Sequence, residues 1–162
     1  MRTLSYPSVR VMVATKGRIL IRMPSQNIRT TPRIVRRRSK LHGWGVFALE
    51  TIPKNTRIIH YAGEKIRTRE SWEREQKHLS HGHIWLFAVN RLWVRDAEVG
   101  GNNARFINHS CTPNCYSRVI GDTIWICAGR TIKPGEELAY RYYTDGTTGI
   151  ACQCRPGCKT KL

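Results

Sequence analysis

The stretch Asn102-Asn103-Ala104-Arg105-Phe106-Ile107-Asn108-His109-Ser110-Cys111-Thr112-Pro113-Asn114-Cys115 decides how this chain is read. Polar side chains crowd around one apolar pair, Phe106-Ile107, and the run ends in a proline turn. Neither a helical nor a strand period accounts for it. An irregular loop held by Asn and Ser side-chain caps would have this composition. Read alone, Asn108-His109 also fits a ligand loop or a metal site.

On either side of it the chain breaks into short strands and turns. Thr56 to Tyr61, Ile84 to Asn90 and Arg91 to Asp96 are strand candidates. Tyr116 to Ile120 and Thr123 to Ala128 flank Gly121-Asp122, a two-residue hairpin turn. Lys133-Pro134-Gly135-Glu136 is a turn before a last strand, Glu137 to Tyr142. One helix is expected over Thr68 to Leu79, with Glu70–Arg74 and Glu73–Lys77 pairs at i,i+4. The fold class is therefore mainly β with one short helix. Ahead of it, Val9–Ala14 and Arg18–Met23 fit a weak hairpin, and Pro24–Pro32 a polar linker. Arg36-Arg37-Arg38-Ser39-Lys40 reads as a solvated basic run.

Three further groups carry chemistry. His42-Gly43-Trp44-Gly45 would let a backbone approach a ligand beside an aromatic face, although Gly-x-Gly is more often only a turn. Tyr140 and Tyr142 fall on one face of the last strand, where two phenols could line a slot or simply pack on a core. Cys152, Cys154 and Cys158, three cysteines in seven residues beside Pro and Gly, cannot all pair locally as disulfides. They fit a thiolate metal site whose fourth ligand is Cys111, Cys115 or Cys127.

With 162 residues and 40% apolar content, one domain with a buried core is feasible. No apolar run approaches the ~20 residues of a membrane-spanning helix, so no membrane partner is expected. Net charge is +17, and residues 1–49 hold eleven basic side chains and no acidic one. That arm points to polyanions, DNA or nucleosomes among them. Val11-Met12-Val13-Ala14 is too short for a signal-peptide core, so export by the Sec route is not expected. An organellar transit peptide or a misplaced start codon would also give an acid-free, Arg-rich beginning.

Taken in order, these groups resemble the SET-domain protein lysine methyltransferases with a cysteine-rich post-SET tail. Lys40 to Ala48 resembles the family's opening Gly-x-Gly segment, and Ile59 to Glu64 its second strand motif. Arg105 to Asn114 matches Arg-Phe-x-Asn-His-Ser-Cys-x-Pro-Asn without a gap. Gly135-Glu136-Glu137-Leu138 followed by Tyr140-x-Tyr142 matches the closing motif.

The resemblance implies a SET β-clip of small sheets with a knot-like C-terminal threading. It divides the chain into an arm (1–33), a SET domain (34–145) and a zinc-binding tail (146–162). S-adenosylmethionine would be held by His42, Gly43, Trp44, Gly45, Trp85, Arg105, Asn108 and His109. Tyr142 would be the catalytic tyrosine, with Tyr61 and Tyr140 lining a lysine channel. Cys111, Cys152, Cys154 and Cys158 would hold structural zinc. The implied partner is a protein with an exposed lysine, a histone by default, and the implied product is mainly mono- or dimethyl-lysine. The enzyme would be a monomer, in the nucleus of a eukaryote or the cytoplasm or nucleoid of a bacterium. The contrary reading is a catalytically silent SET module that binds chromatin or nucleic acid.

Two departures stand out. Arg141 replaces the acidic residue many members have between the closing aromatics, and it is expected to face away from Tyr142. Three residues separate Cys154 from Cys158 where four are usual.

Overall fold

The computed structural model describes residues 31–162 apart from Asp145 and Thr147. The expected hairpin and nearly all of the linker lie outside the described residues. The first strand, β1 (Ile34–Arg38), pairs antiparallel with β2 (Trp44–Ala48). The basic run thus opens as strand, with Arg36, Arg37 and Arg38 exposed along it as a solvated run. Arg36 and Arg38 lie 4.8 and 4.5 Å from the Trp44 ring, and Arg36 also lies over Phe106. The guanidiniums stay exposed while their flat faces cover indole, which lets so basic a segment pair as a strand.

Next come β3 (Arg57–His60) and β4 (Glu64–Arg67), then a 3-10 turn over Thr68–Glu70 that runs into α1 (Ser71–Ser80). The helix falls where the charge pattern places it, but the expected i,i+4 pairs are replaced by tertiary ones. Arg74 bonds Glu64 (2.6 Å) and Asp96 (2.9 Å), and Lys77 bonds Glu98 (3.0 Å). A buried carboxylate needs a cation more than an exposed Glu does, so Asp96 takes Arg74.

The expected strands at 84–96 shorten to β5 (Leu86–Ala88) and β6 (Trp93–Asp96), joined through a turn in which Asn90 accepts from Leu92 and Trp93. A 3-10 turn over Asn103–Phe106 leads to β7 (Asn108–His109). The hairpin β8 (Cys115–Ile120) and β9 (Thr123–Ala128) has its turn at Gly121-Asp122 as expected. The last strand, β10, is only Ala139–Tyr140. Glu137 instead makes an isolated bridge with Phe47.

The sheets are small, ordered β1-β2, β3-β9-β8, β4-β6-β5 and β7-β10. Their inner faces share one core of Val46, Ile52, Ile58, Ile107, Ile124, Ile126, Ile132 and Leu138, all at most 1% exposed. At about 1.5–3 kcal/mol per buried side chain, that core is the main favourable contribution to folding. The threaded centre is the parallel pair β7-β10, with Asn108 opposite Ala139 and His109 opposite Tyr140. The Asn114 side chain spans the same crossing. Its amide donates to Glu137 O (2.8 Å), and its carbonyl accepts from Ala139 N (2.9 Å).

Candidate active site

The deciding stretch is a junction, and its Cys111 enters the cysteine cluster of the tail. Its asparagines hold main chain that no regular ladder reaches, which satisfies buried polar groups at a crossing of short strands. Asn108 Nδ2 lies 3.0 Å from Trp44 O and 2.8 Å from Glu137 Oε1, with His42 O at 3.3 Å. It thereby fixes the Gly-x-Gly segment against the closing motif. Gly43 provides a left-handed bend there, at φ +49°. Gly45 packs against the Glu137 carboxylate, which a Cβ would strike. Glu137 also accepts from Ser39 Oγ at 2.8 Å.

This junction forms one wall of a cleft of about 230 Å³. His42, Gly43 and Trp44 lie along one side, and Trp85 and Arg105 along another. Asn108, His109 and Tyr142 complete the core wall. Seven of the eight expected cofactor residues therefore meet in one cavity. Gly45 is the exception, sitting behind the wall. Residues 150–154 and Leu162 of the tail close the opposite side. Trp85 is fixed by neighbours on several sides. His83 stacks on it at 3.9 Å, Arg105 lies 4.8 Å from its ring, and His78 is behind at 5.8 Å. Burial lowers the His83 pKa, with nearby His42, His78 and His81 adding to the effect. His78 is in turn 3.0 Å from the fully buried Asp96.

The walls of this cleft suit a nucleoside amino acid. Apolar faces from Ile84, Trp85 and Phe106 alternate with main-chain groups of the Gly-x-Gly segment. Arg105 donates to Ala97 O (2.8 Å), yet its Nε is buried without a hydrogen-bond partner among the described residues. A buried donor of this kind is costly unless a ligand meets it. S-adenosylmethionine, with its purine, hydroxyls and zwitterionic end, fits that donor set.

Tyr142 joins the cleft to a second feature. Its hydroxyl donates to Ile107 O (2.8 Å), and its N–H donates to His109 Nδ1 (3.0 Å). From it runs a row of rings: Tyr140 at 4.9 Å, Phe87 5.9 Å beyond, then Tyr61 at 5.2 Å. Tyr61 donates to Trp85 O (3.0 Å), so the row also touches the cleft wall. Burial pushes all three phenols above the ordinary tyrosine value, so they remain hydroxyls at any working pH. Arg141 turns away from the row, as expected, and donates to Cys111 O (3.1 Å). The His109 pKa is lowered by burial and then by Arg141, so this imidazole is neutral near pH 7.

The sequence reading missed two residues. Phe87 is the ring that connects Tyr61 to Tyr140, yet in sequence it is one apolar residue in an ordinary strand. Glu137 is the acceptor that collects Ser39 and Asn108. Its signal, the second Glu of Gly135-Glu136-Glu137-Leu138, was present but carried no role.

The sulfur atoms of Cys111, Cys152, Cys154 and Cys158 all lie within 4.8 Å of one another. Cys111 is 3.9 Å from Cys152 and 3.8 Å from Cys158. A tetrahedron with Zn–S bonds of about 2.3 Å has edges of about 3.8 Å, so the four thiols fit zinc despite the short Cys154–Cys158 spacing. Hydrogen bonds from Thr160 and the neighbouring thiols bring Cys158 down to about 6, whereas burial pushes Cys152 up to about 12. Cys115 and Cys127 lie outside this cluster, so the residue that joins the three tail cysteines is Cys111.

Comparison with known proteins accords with this geometry. The SET domain family matches residues 43–143. Histone-lysine N-methyltransferase set1 of Dictyostelium discoideum is 42% identical over 138 residues, covering 80% of this chain and 9% of that protein. The H3 lysine-4 specific histone-lysine N-methyltransferase of Schizosaccharomyces pombe is 42% identical over 132 residues, covering 76% of this chain and 14% of that one. Histone-lysine N-methyltransferase set-2 of Caenorhabditis elegans is 42% identical over 130 residues, with shares of 76% and 8%. The chain thus spans roughly a tenth of the length of these relatives, and the family match covers more than half of it: the chain belongs to the SET-domain family.

Proposed function

We propose that this chain transfers methyl groups from S-adenosylmethionine to the ε-amine of a lysine in a protein substrate. The observation that carries the reading is the position of Tyr142, whose hydroxyl is fixed by Ile107 O where the cleft meets the row Tyr140–Phe87–Tyr61. The bound cofactor supplies an electrophilic methyl group on a sulfonium. The protein supplies alignment, which can contribute several kcal/mol to such a displacement. Buried rings keep water from the amine and disfavour its ammonium form, whose pKa in water is ~10.4. The Tyr142 oxygen and the Ile107 carbonyl present lone pairs to a carbon that gains positive charge in the transition state.

His42, Gly43, Trp44, Trp85, Arg105, Asn108 and His109 hold the cofactor, and Gly45 supports them from behind. Tyr61 and Tyr140, with Phe87 between them, shape the lysine channel. The Tyr140 hydroxyl occupies space that a methylated amine needs in order to turn, which favours mono- and dimethyl products. Zinc on Cys111, Cys152, Cys154 and Cys158 holds the tail (146–162) against the SET domain (34–145). The substrate is a histone, and the relatives named H3 lysine-4 specific point to histone H3 on chromatin. Among the described residues no helix is long and apolar enough to cross a membrane. The enzyme acts as a monomer, and the acid-free arm over 1–33 brings it to DNA or nucleosomes.

The silent-module reading needs Arg141 to spoil the channel. Its guanidinium is on Cys111 O instead, which argues against that reading. The test is incubation of zinc-loaded protein with labelled S-adenosylmethionine and either histone H3 or a whole-cell extract, followed by identification of the modified lysine. Label is expected on a lysine and absent with Tyr142→Phe. Cofactor binding without transfer to any protein would overturn the reading.

A further inference from the structure

The described part of the chain carries a basic surface that neither the cleft nor the tail uses. In β3-β9-β8, Trp125 is directly opposite His60 on one side and Arg118 on the other, so all three face outward together. The Arg57 guanidinium lies 5.6 Å from the same indole. In β4-β6-β5, Lys65 is opposite Arg95 and Arg67 is opposite Trp93, again on one face. Arg67 is 3.9 Å and Lys65 4.7 Å from the Trp93 ring. The β8-β9 turn links the two faces: Asp122 pairs with Lys65 at 2.5 Å, and its carbonyl accepts from Arg95. Asp122 is the only carboxylate among these named groups. No ion pair among the described residues uses Arg57, Arg67, Arg95 or Arg118.

We propose that these two sheet faces form one surface that takes the phosphodiester backbone of a nucleic acid beside the channel. Proximity follows from register. Phe87 of the aromatic row is directly opposite Arg95, hence on the same face as Lys65. The indoles hold the cations in place by cation–π contact, which lowers the ordering cost of binding. Cations already cover Trp93, so it offers no platform for base stacking. The contacts are therefore to phosphates, and binding is indifferent to sequence. Five like charges near the channel repel a free basic peptide but attract a protein already carried on nucleic acid. The surface thus selects lysines presented on a polyanion.

The test is fluorescence anisotropy of the full chain with a 20-base-pair DNA duplex and the matching RNA duplex, across a salt series. No methyl donor is present, so failure here and failure of the transfer reading are separate results. The triple variant Arg57→Gln, Arg67→Gln, Arg118→Gln should reduce the slope of log affinity against log salt by about 2.7, at ~0.9 per phosphate contact. A reference triple, Arg37→Gln, Lys133→Gln, Lys159→Gln, should shift it far less. Loss with both duplexes, or with only one, supports the surface and identifies the source of its phosphates. Equal loss in the two triples, or no loss in the first, overturns it. So does tighter binding of polyglutamate than of either duplex at the same salt, which would assign the face to an acidic protein. Circular dichroism and melting of each triple establish that the fold is intact.

Discussion

The two walls of the cleft are built on different principles. The core wall is held by the fold. Asn108 and Glu137 bind its main chain, Asp96 and His78 brace Trp85 from behind, and an apolar core lies beneath. The tail wall has little apolar support. Its main-chain ties, among them the Ala151–Lys161 bridge and the bonds from Cys152 N to Thr160 O and from Leu162 N to Ile150 O, run within the tail itself. It meets the core at Cys111, whose sulfur lies among the three tail sulfurs and 3.3 Å from Thr160 Oγ1. A ligand between the walls therefore meets one preformed surface and one whose position depends on metal and redox state.

The strongest challenge to this contrast is removal of the brace. Burial alone would raise Asp96, but hydrogen bonds from Arg74, the Glu98 N–H and His78 overcome it and hold the carboxyl below its ordinary value. A depressed folded pKa means stability that is full above the unfolded value near 3.9 and is lost as pH falls through the folded one. Asp96→Asn should cost about 3 kcal/mol, the low end for a broken buried pair, because Arg74 is over a third exposed. Urea unfolding at pH 7 measures the loss. A flatter stability curve than wild type below pH 4 checks its electrostatic origin.

Asn108→Ala, on the core wall itself, should raise the dissociation constant of S-adenosylhomocysteine by about a hundredfold, the equivalent of about 2.7 kcal/mol. The protein should stay folded, so the rise in melting temperature that the ligand gives wild type should vanish. Metal removal acts on the other wall. Chelation under reducing conditions should weaken the same ligand by about tenfold while the main melting transition stays in place. Joint melting of core and tail on chelation would show that the walls are one unit. Metal analysis of freshly purified, reduced protein should find one zinc per chain.

Arg141→Gln removes the bond that steadies Cys111, the core residue at which the tail docks. A hydrogen bond with a charged donor contributes about 1.5 kcal/mol and less when exposed, so the ligand should weaken only a few-fold. The smallest rate effect belongs to Tyr140→Phe, deep in the core wall. The first transfer should change by less than about twofold, equivalent to under 0.5 kcal/mol in barrier. The product should shift toward trimethyl-lysine by mass spectrometry. Predominant trimethylation by the unaltered protein would place the restriction on other residues.

Much of this was legible because local pattern and tertiary role coincided. The Gly121-Asp122 hairpin, the helix near residue 70 and the junction stretch all carry short-range signals. The 3-10 start of the helix and the shortening of the last strand to Ala139–Tyr140 do not. A two-residue strand is defined by its parallel partner thirty residues away, not by its own alternation. The basic run is solvated as expected, but its strand form depends on pairing with β2, after which Trp44 and Phe106 meet Arg36. Among site residues, tyrosines and cysteines announce themselves by type. Phe87 does not, since a phenylalanine in a strand looks the same whether it lines a channel or fills a core.

Asn108 and Asn114 make their principal contacts with main-chain atoms: carbonyls of residues 42, 44 and 137, and the N–H of residue 139. Main chain is common to every amino acid, so the side chains at 42, 44 and 139 can drift through evolution without any compensating change in the asparagines. Covariation between aligned positions would be silent for these main-chain contacts, and would report only the Glu137 carboxylate, which meets the Asn108 amide and the Ser39 hydroxyl. Position 45 is the contrary case. A Cβ there would meet the Glu137 carboxylate, so a change at 45 requires that side chain to move or to be replaced. Glu137, coupled to positions 39, 45 and 108, is where the history of the junction would be written.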